Sequence, residues 1–276
     1  MTVSHPPTIP ASETAPYFSS PGGEFTLCCG DTLDLLPRLG LEGRVNLVFA
    51  DPPYFLSNDG ITCHAGRMVS VNKGTWDRRG SIEQMHEFNR RWLQACRDVL
   101  DPNGTIWVSG TRHVIFSVGY AMQQLGFKLL NEIAWEKPNP PPNLCCRYFT
   151  HSTETVLWAA KSDESKHVFN YQVMRAAAGG KQMKSVWTIT APTRAEKVHG
   201  KHPTQKPLAL LERIVLAAST GGQLVLDPFV GSGTTGLAAV KHGRVFVGVD
   251  NESTFLDLAI RRFQDQAKAT PPHSGT

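Results

Sequence analysis

The tetrapeptide Asp51-Pro52-Pro53-Tyr54 has the residue types for chemistry on an amino group. It follows Val45-Asn46-Leu47-Val48-Phe49-Ala50, an apolar run that reads as a buried strand. A chain leaving a strand through two prolines is stiff and poor in backbone donors. It offers a carboxylate, carbonyl oxygens and an aromatic ring in one fixed cluster. That cluster suits a flat ring bearing an exocyclic amino group. The Asp51 carboxylate and the Pro52 carbonyl accept its two N–H bonds, and Tyr54 stacks on the ring face. Asp-Pro pairs also simply end strands, so the motif takes its weight from a second one downstream.

In the second motif the apolar strand Leu224-Val225-Leu226 runs into Asp227-Pro228-Phe229-Val230-Gly231-Ser232-Gly233-Thr234-Thr235-Gly236, with a helix-like stretch from Leu237 to Lys241. Glycines let a backbone approach a ligand closely, and such a turn delivers N–H groups at a helix start. The next strand, Arg244 to Asp250, ends on an acidic residue, the usual acceptor for ribose hydroxyls. This part reads as an adenosine-binding half-site. The glycines also match the fingerprint of nicotinamide-dependent dehydrogenases. Against that reading, a carboxylate and a phenylalanine precede the glycines, and 26 residues follow Asp250, too few for the rest of a dinucleotide fold. A dehydrogenase would also leave Asp-Pro-Pro-Tyr unexplained.

Elements that position these motifs follow from pattern. Phe25 to Asp31 reads as a strand, and Thr32 to Leu39 as a helix capped by Asp31 or Thr32. Phe55 to Gly80 is a long loop beside the candidate site, a place for a lid or substrate clamp. Ser81 to Leu100 is a helix with a capping box at Ser81 and Gln84, Asp101-Pro102-Asn103-Gly104 a turn, Thr105 to Ser109 a strand, and Val114 to Leu125 a helix closed by Gly126. Leu130 to Trp135 and Thr155 to Ala159 are strands flanking the Pro/Asn-rich Lys137 to Phe149, which cannot be regular. Pro207 to Ser219 is an amphipathic helix. Alternating strands and helices predict an α/β chain with a mainly parallel sheet. Asp31, Asp51, Asp227 and Asp250 all fall at strand ends, where such sheets bind ligands. With the remaining strands in the first half, the chain is circularly permuted, and one cleft joins Asp227 and the glycine loop to Asp51 and Tyr54.

The 276 residues, 41% of them hydrophobic, suffice for a sizeable core. No apolar run reaches membrane-spanning length, and Met1 to Gly23 is Pro/Ser/Thr-rich rather than signal-like. Six cysteines include two adjacent pairs and no C-x-x-C, which argues against a zinc ribbon or disulfide framework and for a reducing, cytoplasmic setting. Net charge is +4, but Lys161 to Lys206 alone holds nine Lys/Arg against three Asp/Glu. That excess suits a surface meeting phosphates, a nucleic acid above all. The histidines, among them His64, His113, His151, His199 and His202, lack metal-ligand spacing, so no metal is expected. Trp76, Trp92, Trp107, Trp135 and Trp158 read as core, and Trp187 as packing rather than base stacking.

On these residues the chain resembles the amino-directed, S-adenosylmethionine-dependent DNA methyltransferases in their permuted order, catalytic motif first. Asp51-Pro52-Pro53-Tyr54 resembles the family's catalytic motif, Asp227 to Gly233 its cofactor loop, and Lys201-His202-Pro203-Thr204-Gln205-Lys206-Pro207 the segment that closes over methionine. The likeness runs from Phe25 to about Phe263. Phe55 to Asn58, Val69 to Gly74 and Cys146 to Glu154 further resemble the second adenine methyltransferase of GATC-type restriction systems, a group active on single-stranded DNA.

The resemblance implies a doubly wound, seven-stranded, Rossmann-like sheet with an inserted target-recognition region. Residues 1–23 would be a flexible tail, 24–160 the catalytic half, 161–200 the recognition insertion, 201–266 the S-adenosylmethionine-binding half, and 267–276 a second tail. It implies a flipped base held by Asp51, Pro52, Pro53 and Tyr54, with adenine N6 favoured over cytosine N4. Cofactor contacts fall to Asp31, Lys206, Asp227, Phe229, Gly231, Ser232, Gly233, Thr234 and Asp250. Asn58, Arg147, Tyr148, Lys181 and Lys184 are candidates for DNA contact. Direct attack by an amino nitrogen needs no covalent intermediate, and the chain has no Pro-Cys pair of the carbon-5 cytosine enzymes. A homodimer and a cognate restriction endonuclease are partners the family suggests, and no membrane is. RNA or protein methylation is the more distant alternative; protein glutamine enzymes usually carry Asn at the position of Asp51 and are not permuted. A DNA-binding module with a decayed site is a third reading, against which every expected motif residue is present.

Overall fold

The computed structural model describes residues 14–54, 60–64, 67–71, 81–200 and 202–269, with the backbone alone at 60–64 and 67–71. In chain order the strands are β1 (Phe18–Ser19), β2 (Phe25–Cys29), β3 (Val45–Ala50), β4 (Gly60–His64), β5 (Arg67–Val71), β6 (Leu100–Gly110), β7 (Lys128–Glu136), β8 (Thr153–Ala160), β9 (Val186–Thr188), β10 (Leu224–Asp227) and β11 (Val245–Asp250). The helices are α1 (Thr32–Leu35), α2 (Ile82–Val99), α3 (Ile115–Gln124), α4 (Tyr171–Ala177), α5 (Leu208–Ala218), α6 (Thr234–Lys241) and α7 (Ser253–Ala269).

Alternation along each strand decides which helices it meets. On β3, Val48 and Ala50 face a core built with Leu35 of α1, Trp92, Leu93 and Cys96 of α2, and Val118 and Met122 of α3. Leu47 and Phe49 face the opposite side, toward Leu210 and Ile214 of α5, Leu237 of α6 and Leu256 and Phe263 of α7. Both faces of the sheet are thus covered, as a parallel sheet requires. Strand order is β1-β2-β11-β10-β3-β6-β8-β7-β9. β2, β11, β10, β3 and β6 run parallel, and β8 is antiparallel to β6 and β7. The last two long strands of the chain therefore lie between β2 and β3, which is the permutation expected from sequence. Among the described residues no helix is long and apolar enough to cross a membrane.

Seven strands carry the expected sheet, and two short edge strands bring it to nine. β1 pairs with β2, and Phe18 packs edge-on against Phe25 and Phe263, so Phe18 and Ser19 belong to the sheet although they fall within the tail expected up to Gly23. β9 adds to β7, and Trp187 packs against Trp107, itself stacked on Trp158 at 4.6 Å, so part of the expected recognition insertion is sheet edge and core. The predicted turn at Asp101-Pro102-Asn103-Gly104 is an irregularity within β6, passed over by the pairing with β3 and closed by an Asn103 N–H to Asp101 Oδ1 bond of 2.8 Å. Gly104 is needed there, because a Cβ would sit 2.7 Å from the Val45 carbonyl oxygen. Within Phe55 to Gly80, β4 and β5 form a hairpin of their own. The capping box at Ser81 and Gln84 is present. Asp31 caps α1, which gives way to a 3-10 turn at Leu36–Arg38, where Pro37 has no N–H to continue the helix.

Candidate active site

Four parallel neighbours, β2, β11, β10 and β3, bring their carboxyl ends to one rim. Asp31, Asp51 and Asp250 line a single cleft of about 240 Å³ there, with Pro52, Pro53, Tyr54, Phe229 and Gly231. A smaller cavity of about 30 Å³ shares Asp51, Phe229 and Gly231 and adds Lys206, Asp227, Ser232 and Thr234. The two motifs, distant in the chain, therefore wall the same space.

Asp51 is the centre of a dense network. Its Oδ1 accepts from the Tyr54 hydroxyl and from Ser109 Oγ, each at 2.6 Å, and its Oδ2 accepts from Lys206 Nζ at 2.5 Å. A carboxylate has about four acceptor positions, so one remains for an incoming N–H. Lys206 is the residue that departs most from expectation. Its ammonium is turned onto Asp51, 3.2 Å from the Tyr54 hydroxyl and 3.7 Å from Glu154 Oε2, rather than standing among cofactor-loop groups alone. Burial alone would push this lysine down, but Asp51 and Glu154 outweigh it and hold it above its ordinary value. Burial, then Asp51 and Glu154, push the Tyr54 phenol well up, so Tyr54 stays a neutral donor.

The second rim is pinned from behind. Asp250 Oδ2 accepts from Gly231 N at 2.8 Å and Oδ1 from Glu252 N at 3.0 Å. The Gly231 N–H, expected to point at a ligand, is thus spent on Asp250. Gly233 caps α6 at φ +76 and lines neither cavity. Ser232 and Thr234 are buried, and Arg262 of α7 donates to the Ser232 carbonyl and, at 2.9 Å, to Thr234 Oγ1. Asp227 accepts from Thr235 Oγ1 at 2.5 Å and Phe229 N at 3.0 Å; burial outweighs both bonds and pushes its carboxyl up to about 7. Phe229 is held edge-on by Trp92 at 5.4 Å. Sequence reasoning assigned Trp92 to the core, yet it also lines the cleft, as do Phe88, His202, Thr204, Asn251, Glu252 and Phe255. Ser109 and Glu154 were missed; Ser109 has a signal, since it lies near the end of the strand next to β3.

The candidate DNA contacts are spread along the same end of the sheet. Arg147 and Tyr148 are exposed on the loop leaving β7, with Tyr148 ring-to-ring with His151 at 5.4 Å. Lys181 and Lys184 are exposed just before β9. Pairing sets Val186 level with Ala134, Thr155 and Gly110, two residues beyond Val108, the partner of Ala50. Four strand spacings of about 4.8 Å put β9 roughly 19 Å from β3. None of these four residues lines the cleft. Asn58 lies outside the described residues.

Acidic acceptors beside aromatic walls fit an adenosine joined to a cationic sulfonium and an ammonium. Comparison with known proteins agrees. A DNA methylase family model matches residues 45–261. The Type II methyltransferase M2.DpnII of Streptococcus pneumoniae is 52% identical over 252 residues, 91% of this chain and 93% of that protein. M2.LlaDCHI of Lactococcus lactis subsp. cremoris, also a Type II methyltransferase, is 52% identical over 255 residues, 92% of this chain and 94% of its own. Among solved structures, the M1.HpyAVI–SAM complex is similar at a TM-score of 0.65 and 26% identity, over 86% of this chain and 98% of that one. The likeness to second methyltransferases of restriction systems, drawn from sequence, is matched by relatives named M2, and the cofactor is S-adenosylmethionine. With the match spanning both rims of the cleft and the strands between them, the chain belongs to the N6/N4 family of DNA methylases.

Proposed function

We propose that this enzyme methylates the exocyclic N6 of adenine in DNA, acting on a base turned out of the stack. The observation that carries the reading is the single cleft walled by Asp51 and Tyr54 on one side and by Asp31, Asp250 and Phe229 on the other. Asp51, through its remaining acceptor position, and the Pro52 carbonyl take the two amino hydrogens and draw the nitrogen toward a lone-pair-bearing geometry. Tyr54, its hydroxyl tied to Asp51, presents its ring to the base. Positioning and electrostatics then carry the rate. S-adenosylmethionine, when bound, supplies the electrophilic methyl group. Asp250 holds the ribose, Asp31 the adenine amino group, and Asp227, Phe229 and the glycine loop the methionine end. Arg147, Tyr148, Lys181 and Lys184 track the DNA backbone along the β7–β9 side of the cleft. The Type II names of similar proteins support a cognate restriction endonuclease in the same system, without a direct complex.

A carboxylate at position 51 rather than a serine, together with the likeness to adenine enzymes, favours adenine over cytosine N4. Digestion of DNA from a host expressing the gene, followed by mass spectrometry of the nucleosides, tests this. N6-methyladenine is expected. N4-methylcytosine in its place overturns the choice of base, and labelled methyl in RNA or protein but not DNA overturns the substrate.

Asp227 adds a pH signature. Its carboxyl titrates near 7 because burial disfavours the charged form. Binding the methionine ammonium requires the carboxylate, so the cofactor competes with a proton. Affinity should fall as pH drops below about 7, approaching tenfold per unit, with a proton released on binding. Calorimetry between pH 7.5 and 5.5 in buffers of different ionisation enthalpy reads both quantities. A flat affinity across that range would remove Asp227 from the cofactor contacts.

A further inference from the structure

Glu154 has no part in the chemistry above, yet it stands within the same cluster. It sits near the start of β8, across β6 from β3, with its side chain 13% exposed. Oε1 accepts from Lys137 Nζ, and the Lys137 ammonium rests over the Trp135 ring at 4.7 Å, which fixes the carboxylate from outside. Oε2 faces inward, 3.5 Å from the Tyr54 hydroxyl and 3.7 Å from Lys206 Nζ. Lys206 therefore stands between two carboxylates, bonded closely to Asp51 and ion-paired at longer range with Glu154.

The charge change of amino methylation makes that arrangement consequential. The accepting nitrogen goes from neutral to cationic as the sulfonium loses its charge. An ammonium seated on Asp51 opposes the new charge and occupies part of the carboxylate meant to face it. At 7% exposure Lys206 is poorly screened by solvent or salt. A lysine stem is flexible and carries three donors, so the ammonium can move while keeping the Tyr54 hydroxyl in reach. We propose that Glu154 is a positioning residue that takes Lys206 from Asp51 when the base is bound, leaving Asp51 to face the reacting nitrogen with its full negative charge. This rests on the amino-methylation reading of the Asp51 site.

The test is single-turnover and steady-state methyl transfer to DNA by full-length wild type, Glu154→Gln, Glu154→Gln/Lys206→Met and Asp51→Ala. In Glu154→Gln the lysine stays on Asp51, and kcat should fall about 10- to 100-fold, the scale of a misplaced catalytic group. The KM for DNA and the calorimetric affinity for S-adenosylmethionine should change little. Adding Lys206→Met frees Asp51 and should raise kcat above that of Glu154→Gln, a rescue that a merely structural role does not produce. Glu154→Asp, which withdraws the carboxylate by roughly 1.5 Å, should fall between wild type and Glu154→Gln and serves if the latter melts early. Glu154→Gln at the wild-type rate, or a double variant slower than the single, overturns the proposal. If wild type is active and Asp51→Ala is not, such a result condemns the role of Glu154 alone. An active Asp51→Ala condemns the underlying reading.

Discussion

Asp51→Ala is expected to lose methyl transfer by about 10²–10³-fold or more, as when a preorganised electrostatic partner is removed from a catalytic site. It should do so while still binding S-adenosylmethionine, because Asp31, Asp250 and Phe229 wall the cleft from the other rim. The variant should also melt earlier. Asp51 and Lys206 are 12% and 7% exposed, and breaking a buried pair from one side strands the other charge at a cost of about 3–5 kcal/mol. Glu154 and the Thr204 carbonyl stay near the ammonium, so the lower end is expected. For a chain of this size that is a shift of roughly 5–15 °C. Asp51→Ala/Lys206→Met should recover most of the melting temperature and none of the transfer, which separates the structural debt from the chemical one. Labelled-methyl incorporation and thermal melting on the three proteins are the measurements. Transfer within tenfold of wild type in Asp51→Ala would end the assignment.

The same pair shows where sequence reading reaches and where it stops. Each of the four rim carboxylates follows an apolar run, and an apolar run followed by Asp and a turn is a local pattern. The parallel sheet then does the rest, because parallel strands put all their carboxyl ends on one side. Lys206 has no such local mark. Its partner Asp51 is 155 positions away, and the pairing exists only once β10 and α5 are in place beside β3. A lysine before a helix reads equally well as a helix-start charge or a cofactor contact. Glu154 is quieter still, one acidic residue in the alternating Thr153-Glu154-Thr155-Val156, which looks like the polar face of a strand. Asp101 to Gly104 shows local turn chemistry surviving inside a strand. The β3–β6 ladder jumps from Leu100 to Thr105 across the register shift between Val45 and Leu47, and Asp101 Oδ1 accepts from Asn103 N at 2.8 Å. Trp92 was placed by its hydrophobicity, which is right as far as it goes, since it is both core and cleft wall.

Gly233→Val should be as damaging to the cofactor side as Asp51→Ala is to the chemistry. Gly233 holds φ +76 at the cap of α6, where a β-branched residue is strained by about 1–3 kcal/mol. A side chain there also has nowhere to go. Its Cβ would sit 2.6 Å from Ala259 Cβ and 3.2 Å from Ala259 Cα on α7, and overpacking of this kind costs about 1–3 kcal/mol more. The loop must lift from α7. Lifting it breaks the Arg262 bonds to Ser232 and Thr234 and moves Gly231, whose N–H orients Asp250. With about 3 kcal/mol of the strain expressed at the loop, S-adenosylmethionine should bind roughly 10²-fold more weakly. Gly233→Ala, with the same Cβ and no branch, should lie between. Pairing Gly233→Ala with Ala259→Gly removes the colliding methyl and should restore cofactor affinity. The melting temperature should stay low in that double variant, because a glycine inside α7 costs about 1 kcal/mol by itself. Calorimetric affinity set against thermal melting across these variants distinguishes a displaced loop from general destabilisation. Wild-type affinity in Gly233→Val would show that the loop does not shape the cofactor site.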